Sequence, residues 1–407
     1  MRLPKLLLVC VILAQTFLSY PPAAAAQSLT GVELENVVAL VSFGERITFV
    51  ATVKAPLTVR AASILILDET QGITRVEPLT VLADGRTEFQ YDARQNNLRP
   101  FGRVSWSYRF TLPDGSAANS EVYSTQYDDN RFVWKTVESG MIRIHWYDGE
   151  TDFGQSLLET AQAGLESIGR LIPARLDTPV EIYVYASLSD LRGTLVPNSR
   201  EWIAGHADPS LGVVMVTVEP GPGQETIMEQ RIPHELMHVL LYRALGDGYA
   251  HLPAWLNEGT AGLAEMISNT AYDSAIKSAY SRSDWIPMNS LCGSFPDDTD
   301  RAFLAYAEAR SFVSYIHEVY GSSGLFKLAG VYADGAECKD GPALVFGVPL
   351  AGLEQNWLAS AAEQKTPPPA LQNIAPYLVL LCLMLFIPLI GIAGAMLAKG
   401  GQNKPKT

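Results

Sequence analysis

The sequence has few charged residues, and fewer bases than acids. Only 18% of its 407 residues are charged, too few for an extended, disordered polyelectrolyte. Acids outnumber bases by 43 to 30, and the resulting net charge of −13 argues against a nucleic-acid-binding surface. The sequence also lacks a phosphate-cradling loop, a nucleophile elbow and a C-x-x-C redox motif. These absences argue against nucleotide-binding, serine-hydrolase and thiol-redox functions.

The first apolar run resembles a secretory signal peptide over residues 1–26. Arg2 and Lys5 supply the positive start, an apolar run follows, and residues 23–26 are the small residues that cleavage requires. An uncleaved membrane anchor is the alternative, although the run is short and ends at Pro21. We therefore expect the chain to be exported.

The second apolar run, residues 377–398, has no charged side chain and is long enough to cross a bilayer. A Pro-rich stalk, 365–376, precedes it, and the lysine-bearing tail 399–407 follows it. The positive-inside tendency then predicts a type I, single-pass protein of the cell membrane with its main body on the extracellular side. A cleaved lipid-anchor signal is the alternative, which the lysine-bearing tail disfavours.

The sequence has only four cysteines, and two of them, Cys10 and Cys382, fall in these apolar runs. Cys292 and Cys338 remain in the part predicted to be exported, where an oxidising compartment favours a disulfide between them. Two separate buried thiols are the alternative.

Residues 27–136 carry the pattern of a β-sandwich. Short alternating or β-branched runs recur, as in 46–53, 62–67 and 103–112, and turn residues such as Asp84-Gly85 separate them. About seven such strands without a helical stretch predict an immunoglobulin-like or fibronectin-like fold. No chemical motif lies in this domain, which is therefore interpreted as a spacer or a recognition module for an unidentified partner.

Residues 137–364 change to an α+β pattern. Apolar spacing predicts strands at 141–147 and 180–185 with a helix at 154–171 between them, and mainly helices from residue 225 onward. We expect a second domain with a small upper sheet and a helical lower lobe.

The strongest chemical signal is the segment Ile232–Leu241. His234 and His238 are four residues apart, so on a helix both imidazoles leave the same face and can meet one metal ion. Glu235 lies beside them, in the spacing H-E-x-x-H in which the glutamate serves as a general base. A structural pair of helix histidines is the alternative interpretation.

A catalytic zinc site requires a third protein ligand and one open position. The segment Pro253–Ala261 offers Glu258, which follows His238 by 20 residues, enough for a turn and the start of a second helix. A structural zinc site is disfavoured, because such sites usually have four ligands including cysteine.

These motifs resemble those of the gluzincin metallopeptidases, and most closely the bacterial peptidase MA-like proteins, which are related to the M1-type aminopeptidases. The resemblance implies a zincin-type domain binding one Zn²⁺ through His234, His238 and Glu258, with Glu235 as general base. It also implies that Tyr306 stabilises the oxyanion, although an ordinary buried helix tyrosine is the alternative. The implied function is hydrolysis of a peptide or protein substrate.

Two features of the sequence, a strand motif and one residue, differ from the pattern of that family. The strand at 212–219 lacks the G-x-M-E-N motif of the aminopeptidases, so an endopeptidase is favoured over an aminopeptidase. Gly262 replaces an acid that orients a histidine in thermolysin-like relatives, which leaves Asn257 or Glu265 for that task. The same strand is open to two interpretations, an edge strand that pairs with substrate or an interior strand.

The main rival hypothesis is a non-catalytic surface protein, in which the sandwich binds a partner and the peptidase-like domain supports it. Retention of Glu235 beside the three ligands argues against it. Of the other histidines, His206 is expected to line the cleft, and the rest are expected to be structural or surface residues: His145, His251 and His317.

Overall fold

The computed structural model describes residues 32–54, 59–195 and 204–363, which form two compact units. One unit comprises the chain up to Phe132 together with Thr194–Pro197, and the other comprises Val133–Gly193 and the chain from Asn198 onward. The molecule contains both sheets and helices and is an α+β structure.

Within the described ranges, no helix combines the length and the apolarity needed to cross a membrane. This finding corrects two linked predictions, the transmembrane helix and the single-pass location in the cell membrane, which the structure does not support. The segments concerned lie outside the described residues: 1–26, 365–376, 377–398 and 399–407.

The first unit has eight described strands: β1 (Glu33–Ser42), β2 (Arg46–Lys54), β3 (Ala61–Asp68), β4 (Ile73–Leu79), β5 (Arg86–Asp92), β6 (Arg103–Thr111), β7 (Ala117–Asn119) and β8 (Tyr123–Gln126). One antiparallel sheet has the order β1-β2-β5. The other has the order β4-β3-β6-β7, and β8 also pairs with β6.

The two sheets enclose one apolar core. Alternate side chains are buried along β2 and β3, as the period of a strand with one covered face requires. Phe49 of one sheet meets Trp106 of the other with ring centroids 4.9 Å apart. The alternation in the sequence therefore marks the faces that pack together.

The second unit begins with a five-stranded sheet made of β9 (Lys135–Ser139), β10 (Ile142–Trp146), β11 (Val180–Tyr185), β12 (Gly205–Asp208) and β13 (Val213–Thr217). The strand order is β12-β13-β11-β10-β9. Strands β10, β11 and β13 are parallel, and the outer strands are antiparallel to their neighbours. Helix α1 (Thr151–Leu171) connects β10 to β11. Strand β9 spans the boundary predicted between residues 136 and 137.

Strand β13 decides between the two interpretations of its segment. It lies between β12 and β11, and all five of its side chains are buried. An interior strand needs no polar face, which explains the continuous apolar run. On this side of the described sheet the edge strand is β12, and on the other side it is β9.

The rest of the second unit is helical: α2 (Leu188–Arg192), α3 (Gln224–Leu245), α4 (Ala254–Ala264), α5 (Thr270–Arg282), α6 (Thr299–Ala333), α7 (Gly341–Phe346) and α8 (Leu350–Glu363). Helix α3 packs under the sheet and against α1, while α4 packs on both α3 and α6. Helix α6 is interrupted at Gly321, whose φ of 69° is outside the helical range.

The predicted disulfide between Cys292 and Cys338 is confirmed. It links the segments before and after α6, and closing a loop of this size is worth about 4 kcal/mol in the chain-entropy model. The bridge also supports the start of α4, because Ala254 N donates to Cys292 O (2.9 Å) and Trp255 Nε1 donates to Cys338 Sγ (3.4 Å).

One carboxyl group in this helical region, that of Glu308 on α6, is fully buried. Both of its oxygens accept from the backbone N–H of Ile286, at 3.2 and 3.3 Å. Burial nevertheless raises the pKa of Glu308 to about 8. The fold therefore binds this proton more tightly than the unfolded chain, whose glutamate pKa is about 4.3.

We expect Glu308→Gln to remove a pH-dependent loss of stability. A carboxyl group whose pKa is raised by folding leaves the free energy of unfolding unchanged at a pH below its unfolded pKa. As the pH rises from there toward the folded pKa of about 8, the group lowers the free energy of unfolding increasingly. Urea unfolding at pH 5 and pH 8.5 should therefore show the variant gaining on the wild type at the higher pH. The exposed Glu318 of the same helix provides the control, Glu318→Gln. If the stabilities of wild type and Glu308→Gln changed with pH in the same way, the raised pKa of Glu308 would be contradicted.

Candidate metal centre

Helix α3 brings two histidines and a glutamate together within two turns. His234 and His238 are one turn apart on the same helix face, with ring centroids separated by 5.3 Å. Glu235 is 8% exposed and His238 is 7% exposed. The H-E-x-x-H segment is thus a nearly buried part of the helix.

A proline fixes this turn of α3 against its neighbour. Pro233 lies inside the helix, where it removes a backbone donor. Its ring lies against Gly164 of α1, where a Cβ atom would be 2.9 Å from Pro233 Cγ. The close contact between α1 and α3 therefore requires glycine, and it sets the position of the turn that carries His234.

Helix α4 supplies the third candidate ligand. Glu258 Oε2 lies 3.5 Å from His234 Nε2 and 3.7 Å from His238 Nε2. The next residue, Gly259, permits close packing on α6, since a Cβ there would be 2.5 Å from Ala309 O. Helix α4 is held between α3 and α6, with its glutamate directed at the two imidazoles.

The three side chains have the geometry of a metal-binding group. One ligand atom from each of His234, His238 and Glu258 lies within 4.8 Å of the others. Tetrahedral zinc with bonds of 2.0–2.1 Å places neighbouring ligand atoms roughly 3.3 Å apart, close to the distances found here. Three protein ligands leave one coordination position open, so the donor set suits a catalytic rather than a structural metal ion.

Each histidine is oriented through its other ring nitrogen. His234 Nδ1 lies 3.2 Å from Glu265 Oε1, and His238 Nδ1 lies 3.1 Å from Asn257 Oδ1. Both residues left open by the sequence are therefore used, one for each histidine. With Nδ1 engaged, Nε2 of each ring is directed toward Glu258.

Tyr249 extends this outer shell and was missed in the sequence. Asn257 Nδ2 donates to Tyr249 Oη at 3.0 Å, and Tyr249 Oη lies 3.2 Å from His238 Nδ1. Tyr249 lies in the 3-10 turn Gly246–His251 between α3 and α4. No motif marks it, because its role depends on how that turn folds back on α3.

The electrostatics of the centre reflect buried groups of both signs. Burial acts to lower the pKa of His234, but hydrogen bonds to Glu258 and Glu265 outweigh it and raise that pKa to about 10. Burial raises the pKa of Glu235 to about 7 and lowers that of His238. The carboxylates around His234 thus favour positive charge at this position, and the same carboxylates would favour a bound cation.

A cleft of about 350 Å³ opens onto this centre. Its walls come from α3, from the edge strand β12 and the residue before it, and from the first turns of α5 and α6. The backbone of β12 lies directly on Glu235, because a Cβ at Gly205 would be 2.4 Å from Glu235 Oε1. A larger residue at position 205 would displace the Glu235 carboxylate from this position.

Two tyrosines line the same cleft. Tyr306, the residue implied by the family resemblance, stacks edge-on against Phe295 at 4.7 Å. Tyr272, near the start of α5, lies 5.0 Å from the ring of Phe303 and was not predicted from the sequence. A single tyrosine in an amphipathic helix carries no signal of its own, so Tyr272 is identified only by its position.

The remaining histidines lie outside the metal-binding group. His206 is part of β12 and acts electrostatically on Glu235. The other three have contacts elsewhere: His145 Nε2 with Glu181 Oε2 at 2.7 Å, His251 Nδ1 with Ala333 O at 3.1 Å, and His317 Nε2 with Ser322 Oγ at 3.1 Å.

Comparisons with solved structures give only weak likenesses. A purple acid phosphatase from yellow lupin (Lupinus luteus) seeds has 12% identity and a TM-score of 0.19, over 51% of this chain and 39% of that one. A polysaccharide deacetylase from Bacillus cereus has 7% identity and a TM-score of 0.20, over 49% of this chain and 66% of that one. The chain thus spans less than two thirds of either protein, and at these scores neither likeness carries an argument.

Comparison of the sequence with curated proteins finds no match. A family model described as "Peptidase MA superfamily" matches residues 160–363, which is half of the chain. The matched segment includes α3, α4 and the whole metal-binding group described above. The chain therefore belongs to the peptidase MA superfamily.

Proposed function

We propose that this protein is a zinc-dependent metallopeptidase of the gluzincin type that hydrolyses internal peptide bonds. The observation that carries the proposal is the convergence of His234, His238 and Glu258, with Glu235 in the same cleft. Membership of the peptidase MA superfamily supports the same class of reaction.

Zinc is the metal that best suits this donor set. Two imidazole nitrogens and one carboxylate oxygen are a common ligand set of catalytic zinc, and they leave one position open. Bound there, zinc would supply a Lewis acid that polarises a carbonyl group and acidifies a water molecule. The outer partners Glu265 and Asn257 keep the two imidazoles in the orientation that binding requires.

Glu235 is the proposed general base. It lies next to His234 on α3, lines the cleft and is nearly buried, so its carboxylate is shielded from bulk water. We infer that it accepts a proton from the attacking water and transfers it to the amine that leaves. The neighbouring Gly205 backbone restricts the space around the carboxylate and helps to hold it in place.

Tyr306 is the proposed donor to the oxyanion. Its side chain lines, from α6, the same cleft as Glu235. A hydroxyl group aimed at the carbonyl oxygen stabilises the charge that develops there. Tyr272 lines the same cleft and is the alternative donor.

The cleft suits an extended peptide substrate whose amino terminus is not bound by the lining residues that the structure describes. Strand β12 is at the edge of the described sheet and gives a substrate backbone a strand with which to pair. The carboxylates among the described lining residues are Glu235 and Glu265, and both already serve the metal centre. Neither remains to bind a substrate ammonium group, which supports an endopeptidase.

We predict that the purified protein binds one zinc ion per chain. Glu258→Gln should lower the zinc affinity by more than the roughly 10–100-fold that loss of an outer partner costs, because it removes a ligand. The matched control is His206→Ala, which changes a nearby histidine outside the ligand group and should leave the stoichiometry at one. Elemental analysis and competition with a chromogenic chelator measure both quantities. Equal zinc binding by wild type and Glu258→Gln would contradict the role of Glu258 as a zinc ligand.

We predict that Glu235→Gln retains zinc but loses peptide cleavage. Glutamine preserves the shape of the side chain and cannot accept the proton, so a rate loss of at least about 10²-fold is expected. A peptide library analysed by mass spectrometry, with zinc content measured on the same samples, provides the test. Unchanged cleavage would refute the role of Glu235. Zinc without cleavage in the wild type itself would favour a non-catalytic binding protein.

We predict that Tyr306→Phe lowers kcat by about 10²–10³-fold with little change in KM, because an oxyanion donor acts mainly in the transition state. Tyr272→Phe is the matched comparison, since it removes a hydroxyl group from the same cleft. A large kcat loss in Tyr272→Phe with near-normal Tyr306→Phe would transfer the role to Tyr272.

A further inference from the structure

A second cavity of about 470 Å³ lies beside the metal cleft, in the groove between α5, α6 and α8. Tyr272 belongs to the walls of both cavities, which are therefore adjacent. The volume is within the range of small-ligand sites. Part of the wall is aromatic and comes from all three helices: Tyr280, Tyr315 and Trp357.

Arg310 is the residue that gives this cavity its chemistry. The arginine is half-buried on α6, and its Nε donates to Gly262 O of α4 at 3.0 Å. Its aliphatic chain lies across Gly262, where a Cβ atom would be 3.2 Å from Arg310 Cβ, Cγ and Cδ. Gly262 thus leaves room for the aliphatic chain of Arg310, and the hydrogen bond to Gly262 O helps to orient the guanidinium group.

The charge of Arg310 has no counter-ion among the residues that the structure describes. The one hydrogen bond to Gly262 O uses Nε, and the terminal guanidinium nitrogens remain as donors on a residue that lines the cavity. A partly buried guanidinium group is stabilised when a ligand supplies an anionic hydrogen-bond partner. Its fixed planar donors match the two oxygens of a carboxylate.

The other charged groups of the cavity do not provide that partner. Asp273, Lys277 and Glu318 also line it, but all three are exposed, and they carry two negative charges and one positive charge. Ser314 Oγ donates to Glu318 Oε1 at 3.2 Å. Exposed charges interact weakly across a high-dielectric surface, so the half-buried Arg310 is the stronger of the two cations that line the cavity.

We propose that this cavity is a subsite that binds a carboxylate group of a peptide through Arg310. The carboxylate belongs either to an acidic side chain or to the C-terminus of the peptide. The assignment of the ligand as a substrate rests on the proposed peptidase function, because the cavity adjoins the metal cleft at Tyr272. The tyrosine and tryptophan rings contact the apolar part of the same ligand.

Four peptides of otherwise identical sequence separate the two sources of the carboxylate. They combine a glutamate or a glutamine near the C-terminus with a free or an amidated C-terminus. The affinities are measured by calorimetric titration of each peptide into the zinc-loaded, full-length Glu235→Gln variant, which does not cleave the peptide. We expect a carboxylate to improve affinity by roughly tenfold or more over its neutral counterpart. No difference among the four peptides would overturn the proposal.

Arg310→Gln and Lys277→Gln form a matched pair, since each removes one positive charge from the same cavity. We expect Arg310→Gln to abolish the carboxylate preference and Lys277→Gln to change it by less than about threefold, because an exposed charge contributes little. A preference that survives Arg310→Gln would overturn the proposal. If Arg310→Gln does not fold, Arg310→Lys is the substitute, because it keeps the positive charge and an aliphatic chain. It should still lose most of the carboxylate preference, since lysine lacks the planar pair of donors that a guanidinium group offers to a carboxylate. An unchanged preference in Arg310→Lys would also overturn it.

The same set of measurements separates this inference from the proposed function. Binding to the Glu235→Gln chain requires no turnover, so a carboxylate preference that depends on Arg310 supports the subsite even if the wild type cleaves nothing. Cleavage by the wild type with no effect of Arg310 on binding or KM would retain the peptidase and refute the subsite.

Discussion

The candidate centre depends on two helices approaching closely enough for one carboxylate to reach two imidazoles. Glu258 of α4 must meet the histidines of α3, and a separation of 3.5–3.7 Å leaves no room for bulky residues where the helices are supported. Gly164 permits α1 to lie on Pro233, and Gly259 permits α6 to lie on α4. Backbone packing at these two glycines is therefore what positions the ligands, and the disulfide holds the start of α4 from the other side.

Given that packing, the polar groups around the centre orient the ligands and balance the charge. Glu265 and Asn257 engage the outer nitrogens of the histidines, and Tyr249 completes the chain behind Asn257. Buried polar networks of this kind are stable only when their members are satisfied. The network thus links the geometry of the metal-binding group to the turn between α3 and α4, so that the site is built by the fold rather than by the motif alone.

The same helices connect the centre to the second cavity. Glu265, rather than a side chain at position 262, contacts His234. Position 262 is therefore not needed to orient a histidine, and the absence of a side chain there leaves room for Arg310. Helix α6 thus contributes Tyr306 to one cavity and Arg310 to the other, about one turn apart. A peptide lying along α6 would meet both.

The sequence by itself determined the features that depend on local spacing or composition. The i, i+4 histidines, Glu235, the helical second half and the pairing of the two remaining cysteines follow from periodicity and from residue type. Composition also led to a membrane-spanning architecture that the described structure does not support. Only the tertiary structure decided that β13 is interior, that each histidine has its own partner, and that Tyr249, Tyr272 and Arg310 line or support the two cavities. These contacts join residues from different helices and turns, and the distance between such residues is set by packing, which no local pattern encodes.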